Sequence, residues 1–262
     1  MNTADNKPMP ALFLGHGSPM NVIEHNRFSS SWKILGRCLP RPRAILCVSA
    51  HWVTAGTRVT AMEMPRTVHD FANFPQALYD IQYPAPGSPA LAKRIQSQTR
   101  LTRIDLEFDR GLDHGTWGVL APMYPAADIP VLQFSLDGGL PPKTHFAIGQ
   151  ELRWLRDEGV LILGSGNIVH NLGRLDPAAE AEPADWAVEF DEAVKQCLLE
   201  GDHQKILDYE SLGEIARLSV PTPEHFLPLL YIMALQREEE RVTFPVEGIA
   251  HQGISMRSVM IS

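Results

Sequence analysis

The chain has 262 residues, 44% of them hydrophobic, which is enough to bury the core of one large domain. Its formal net charge of −8 argues against a nucleic-acid surface, which calls for clustered Lys and Arg. The three cysteines, Cys38, Cys47 and Cys197, form no Cys-x-x-Cys pair and read as buried thiols rather than as a zinc or redox motif. The N-terminus lacks a secretory apolar core, and no run approaches the ~20 apolar residues that cross a bilayer. A cytoplasmic protein without membrane partners is expected, as a monomer or small homo-oligomer.

Strand-like runs alternate with helical patterns, the order of an α/β sandwich rather than of separate all-α and all-β domains, and one domain is favoured. Residues 1–8 read as a flexible N-terminus and 9–262 as the domain. Ala11 to Leu14 is a buried strand, and glycines on both sides of His16 allow close backbone approach there. A helix from Ser29 to Leu39 sets Trp32, Leu35 and Leu39 at helical spacing. Ala44 to Ser49 is the next strand, followed by one near Arg58 to Met62. Residues 63–86, rich in aromatics and prolines, read as a long ordered loop lining a site, with His69, Phe71, Phe74 and Tyr83 as candidate substrate wall.

Ser88 caps and Pro89 opens a helix through Gln98. A strand around Thr102 to Asp105, a glycine-rich loop at 111–118 holding His114, a strand at Val131 to Ser135 and a helix from Pro142 to Glu158 continue the alternation. Val160 to Leu163 is a strand that leads to His170. Asp176 to Ala184 reads as a surface connection. A helix at Asp185 to Glu200 precedes another that begins at Pro221 to His225 and is apolar nearly all round, so its first turn carries Glu224 and His225 inward. Val242 to Val246 and Ser255 to Ile261 close the chain as strands.

Three of the apolar runs lead to a histidine set among Gly, Ser or Asn: His16, His51 and His170. In open α/β sheets ligands bind beyond the carboxyl ends of the strands, so these three imidazoles are expected in one crevice, as a metal site demands. A buried Glu224 or His225 needs a partner, and a metal supplies one. Gly164-Ser-Gly is not a Gly-x-Ser-x-Gly nucleophile turn, so Ser165 reads as a loop residue. His25, His145, His203 and His251 read as solvated. The same pocket also suits a zinc hydrolase or amidase, with His170 or Glu224 as base, or a non-catalytic metal or small-ligand binding protein.

Gly15-His-Gly-Ser-Pro-Met20, Ser49-Ala-His-Trp52, His69-Asp-Phe71, Tyr83-Pro-Ala-Pro-Gly-Ser-Pro89, Asp113-His-Gly-Thr-Trp117, Gly166-Asn-Ile-Val-His-Asn-Leu172 and Pro221-Thr-Pro-Glu-His225 together resemble the 4,5-DOPA extradiol dioxygenase group. That group belongs to the class III ring-cleaving dioxygenases, with the catalytic subunit of protocatechuate 4,5-dioxygenase. The resemblance runs from about residue 9 to the C-terminus. It implies an α/β fold with a central mixed, mostly parallel sheet flanked by helices on both faces, and cleavage of a catechol such as DOPA by O2 at one divalent metal, Zn(II) or Fe(II). It makes His16, His51 and His225 metal ligands and His170 a ligand or the catalytic base, with His114 as the other base candidate. Iron in the wider class is held by two histidines and a carboxylate, which keeps Glu224 open as an alternative to His225. Consecutive helix positions lie about 100° apart and do not both aim at one metal.

Overall fold

The computed structural model describes residues 7–176, 178 and 181–262. Ten strands are present among them: β1 Ala11–Gly15, β2 Ala44–Thr54, β3 Thr57–Thr60, β4 Ile104–Glu107, β5 Val131–Asp137, β6 Val160–Gly166, β7 Val242–Val246, β8 Ile249–Ala250, β9 Ile254–Ser255 and β10 Ser258–Ile261. Eight form one sheet in the order β4-β3-β5-β2-β6-β1-β10-β7, and β8 and β9 pair separately. The four central strands, β5, β2, β6 and β1, run parallel. β3 joins β5 antiparallel, and β10 and β7 close the other side antiparallel.

The central strands are continuous apolar runs because both faces are covered. Alternate residues divide between two cores. Phe13, Leu46, Val48 and Ile162 meet the helices Pro89–Gln98, Pro142–Glu151, Asp185–Glu200 and Leu227–Met233. Leu12, Leu14, Ile45 and Leu163 meet the helices Arg27–Cys38 and His114–Met123 through Trp32, Leu35, Trp117 and Leu120. The expected mixed sheet with helices on both faces is present. No helix among the described residues is long and apolar enough to cross a membrane.

Several boundaries differ from the sequence reading. The glycine-rich loop ends early: a helix starts at His114 because the Asp113 side chain accepts the Thr116 N–H as its N-cap. The helix expected over Pro142 to Glu158 ends at Glu151, where the chain turns to tighter i→i−3 bonds at Leu152 and Leu155 before a short turn at Trp154–Asp157. Pro223–His225 is a 3-10 turn, and the following helix begins only at Leu227, with Pro228 in its first turn. The final strand is two pieces, Ile254–Ser255 and Ser258–Ile261. Cys38 is exposed, whereas Cys47 and Cys197 are buried. His145 is fully buried rather than solvated, with Nδ1 3.0 Å from the Tyr231 hydroxyl. Residues 1–6 of the expected flexible N-terminus, and 177, 179 and 180 of the expected surface connection, lie outside the described residues.

Candidate metal centre

β1 and β2 lie on either side of β6, and their carboxyl ends deliver His16 and His51. His16 follows the last residue of β1, and its N–H donates to the Gly166 carbonyl at 3.0 Å. His51 stands inside β2, not in a loop after it, at a place where the ladder to β5 slips between Val48 and Val53. Such irregularities re-aim a side chain beside a site. His225 closes the Pro223–His225 turn, whose carbonyl accepts the Asn167 N–H at 2.8 Å. Only glycine fits at 166, because a Cβ there would stand 2.1 Å from that same carbonyl.

These three histidines offer ring nitrogens within 4.8 Å of one another, and the Nε2 atoms of His16 and His51 are 3.1 Å apart. Each has an outer neighbour on Nδ1: Ser165 Oγ at 2.9 Å from His16, Asp70 Oδ2 at 3.8 Å from His51, and Glu224 Oε1 at 3.5 Å from His225. Only Ser165 is within hydrogen-bond distance, and a partner of that kind turns Nε2 of its histidine toward a cation, while the two carboxylates stand at ion-pair range from their rings. Burial, then the neighbouring imidazoles His51 and His225, hold His16 well below its ordinary pKa of 6.5. His51 is lowered by burial and then by His114 and His225, and His225 by burial despite the raising effect of Glu224. Neutral imidazoles present lone pairs, which metal binding requires. Both ring nitrogens of buried His225 lack a hydrogen-bond partner among the described residues, so this donor set fits a divalent cation.

Glu224 is not in the converging set. Its carboxylate accepts from Thr222 Oγ1 at 2.7 Å, and the His225 and Thr222 contacts outweigh burial to bring its pKa down to about 2. His170 is also outside that set; its ring lies flat on His225, with centroids 3.5 Å apart and planes at 6°. Burial and then His225 lower it to about 3. His114 packs its ring 4.0 Å from that of His51. Its Nδ1 is 3.0 Å from Asp70 Oδ1, which also accepts its backbone N–H at 2.9 Å. Burial pushes the Asp70 carboxyl up, but the hydrogen bonds and charge of His114 more than offset this and leave it lowered.

A cavity of about 460 Å³ stands over the imidazoles. Its polar lining includes His16, His51, His114, His170, His225 and His251, and its apolar wall is Phe71, Phe74, Leu172, Leu175 and Ile254. Of the four residues expected to form the substrate wall, Phe71 and Phe74 line it. His69 stands behind Phe71, with ring centroids 5.8 Å apart, and its Nε2 is 3.0 Å from the Ile81 carbonyl. Tyr83 is buried, and its hydroxyl donates to the Tyr124 carbonyl at 3.1 Å. A neighbouring cavity of about 750 Å³ shares Ser18 and His251 with the first and adds Asn21, Glu24, His25 and Arg27. Sequence reading missed Asp70, Ser165 and His251. Only the His69-Asp-Phe71 motif carried any signal for Asp70.

The family model described as the catalytic LigB subunit of aromatic ring-opening dioxygenase matches residues 10–261. The chain belongs to this family. It is 52% identical over 260 residues, covering 97% of this chain and 94% of the relative, to a 4,5-DOPA dioxygenase extradiol of Escherichia coli K12. A 4,5-DOPA dioxygenase extradiol of Beta vulgaris is 39% identical over 239 residues, 88% of each chain. The crystal structure of an uncharacterized protein from Escherichia coli K12 superposes with a TM-score of 0.85 at 47% identity, covering 97% of this chain and all of that one. As a LigB-family member the chain is a metal-dependent aromatic ring-opening dioxygenase, which sets aside the hydrolase reading.

Proposed function

We propose that the chain opens catechols beside their two hydroxyls, with DOPA as a substrate, using one divalent cation held by His16, His51 and His225. The observation that carries this reading is the convergence of three neutral imidazoles within 4.8 Å at the base of a largely apolar cavity. When bound, the cation supplies Lewis acidity toward the catechol oxygens and the one-electron chemistry that dioxygen needs. Zn(II) fits an all-nitrogen donor set but has no redox chemistry, so Fe(II) is the metal of turnover and Zn(II) a competing occupant. Three buried or exposed free thiols accord with a reducing, cytoplasmic setting in which Fe(II) persists.

Phe71 and Phe74 hold the aromatic ring, and the apolar wall excludes water from it. His170 and His114 are the proton carriers: each places an imidazole on the cavity lining, where it can take a catechol proton and return it during ring opening. The amino-acid tail of DOPA extends past Ser18 and His251 into the adjoining cavity, where Glu24 and Arg27 offer charges opposite to its ammonium and carboxylate.

The deciding experiment measures oxygen uptake by protein loaded anaerobically with Fe(II) or Zn(II), presented with DOPA and a panel of simple catechols. Stoichiometric uptake with a yellow ring-opened product in the iron form is expected. Absence of uptake with either metal in a filled site overturns the reading.

A further inference from the structure

We infer that Asp70 is the positioning residue of the acid–base group, holding His114 in one tautomer and one rotamer so that Nε2 faces the substrate. The inference rests on the dioxygenase reading of this site but concerns a residue outside the set of ligands and proton carriers. Asp70 Oδ1 takes two hydrogen bonds from the same residue, the backbone N–H of His114 at 2.9 Å and its Nδ1 at 3.0 Å. Rotation of the ring about either side-chain torsion breaks the second bond while the first stays fixed. An ionised carboxylate only accepts, so Nδ1 carries the proton, and in the neutral ring the lone pair is then on Nε2. The other oxygen, Oδ2, lies 3.8 Å from Nδ1 of His51, so the same carboxylate borders a metal ligand.

The two partners stand on elements that are hydrogen-bonded to each other. Asp70 belongs to a loop whose main chain is tied to the segment before His114 by Val68 N–H to the Leu112 carbonyl at 2.7 Å and Leu112 N–H to the Arg66 carbonyl at 2.8 Å. Trp117, one turn into the His114 helix, donates Nε1–H to the Val68 carbonyl at 2.8 Å. The next residue after Asp70 is Phe71, on the cavity wall. A supporting shell of this kind holds a proton carrier in productive geometry without touching the substrate. His51, Asp70 and His114 also stand close enough to hold a cation of their own. The 3.0 Å contact between Asp70 and His114 Nδ1, together with the turn of His51 Nε2 toward His16, assigns this trio to hydrogen bonding instead.

The test compares the full chain with Asp70→Ala and Asp70→Asn. Long-range 15N–1H spectra of the metal-free proteins, assigned with His114→Gln, read which ring nitrogen of His114 bears the proton. The expected result is Nδ1 in the parent, loss of that preference in Asp70→Ala and its retention in Asp70→Asn, whose amide oxygen still accepts. With iron loaded, Asp70→Ala is expected to lose about 10–100-fold in kcat with KM within threefold and one metal per chain retained, while Asp70→Asn recovers much of the rate. A proton on Nε2 in the parent, an unchanged kcat in Asp70→Ala, or a second cation per chain that Asp70→Ala abolishes overturns the inference. Failure of the parent to open any catechol overturns the proposed function instead, and the tautomer spectra still decide the role of Asp70.

Discussion

At the scale of the residue, the tautomer of His16 follows from one hydroxyl. Ser165 is fully buried and gives its proton to the Gly115 carbonyl, so its oxygen is left to accept from Nδ1 of His16. His16 is thereby fixed with Nε2 unprotonated and directed at His51. Replacing Ser165 with Ala removes that acceptor and leaves the volume nearly unchanged. The variant is expected to fold as the parent does and to hold its cation 10–100-fold more weakly, measured by competition with a chelator. Equal retention by parent and variant would show that packing alone orients the ring. The three converging histidines are legible in the sequence because each sits beside an apolar run or in a buried turn. Ser165 and Asp70 are not legible, since their partners lie 149 and 44 residues away and only folding brings them together.

At the scale of the element, the strand cores are legible and their ends are not. An unbroken apolar run marks β6, but its ladder continues through Ser165 and Gly166, where pairing with β1 and β2 outweighs weak strand propensity. The same effect carries β2 past His51 to Thr54. Between helices, the Pro142–Glu151 and Leu227–Met233 segments meet through His145 and Tyr231. Burial lowers the pKa of His145 below 6.5, with the charge of Asp137 offsetting part of the shift. The unfolded chain therefore takes up the proton first as pH falls. The stability that the neutral ring contributes is complete above the unfolded value near 6.5 and is lost progressively as pH drops from there toward the folded value. Denaturant unfolding between pH 7 and pH 5 is expected to show a slope shallower by up to about 1.4 kcal/mol per pH unit in His145→Phe than in the parent. Parallel slopes would mean that His145 is protonated equally in both states.

At the scale of the whole molecule, two buried arginines join segments far apart in the chain, with Asp191 buried beside one of them and Glu192 and Glu247 reaching in from the surface. Arg156 bonds Glu240 together with the Met9 and Leu235 carbonyls, and Arg257 bonds Asp191, Glu192 and Glu247. A ligand that binds only the folded chain adds to this stability by mass action, about 2.7 kcal/mol at a hundredfold excess over its Kd. For a chain of 262 residues that corresponds to a rise in Tm of roughly 5 °C, expected by calorimetry on adding Fe(II) under nitrogen or Zn(II) in air. An unmoved Tm with either metal would mean that the three imidazoles do not hold one. The placement of β6 between β1 and β2 also orders events in time. His16 and His51 are synthesised early, yet the strand that sets their spacing comes more than a hundred residues later, and the turn bearing His225 later still. A nascent chain on the ribosome carries two loose imidazoles and no seat for a cation. Metal uptake therefore belongs to the folded domain, and oxygen chemistry has nowhere to begin on a half-made one.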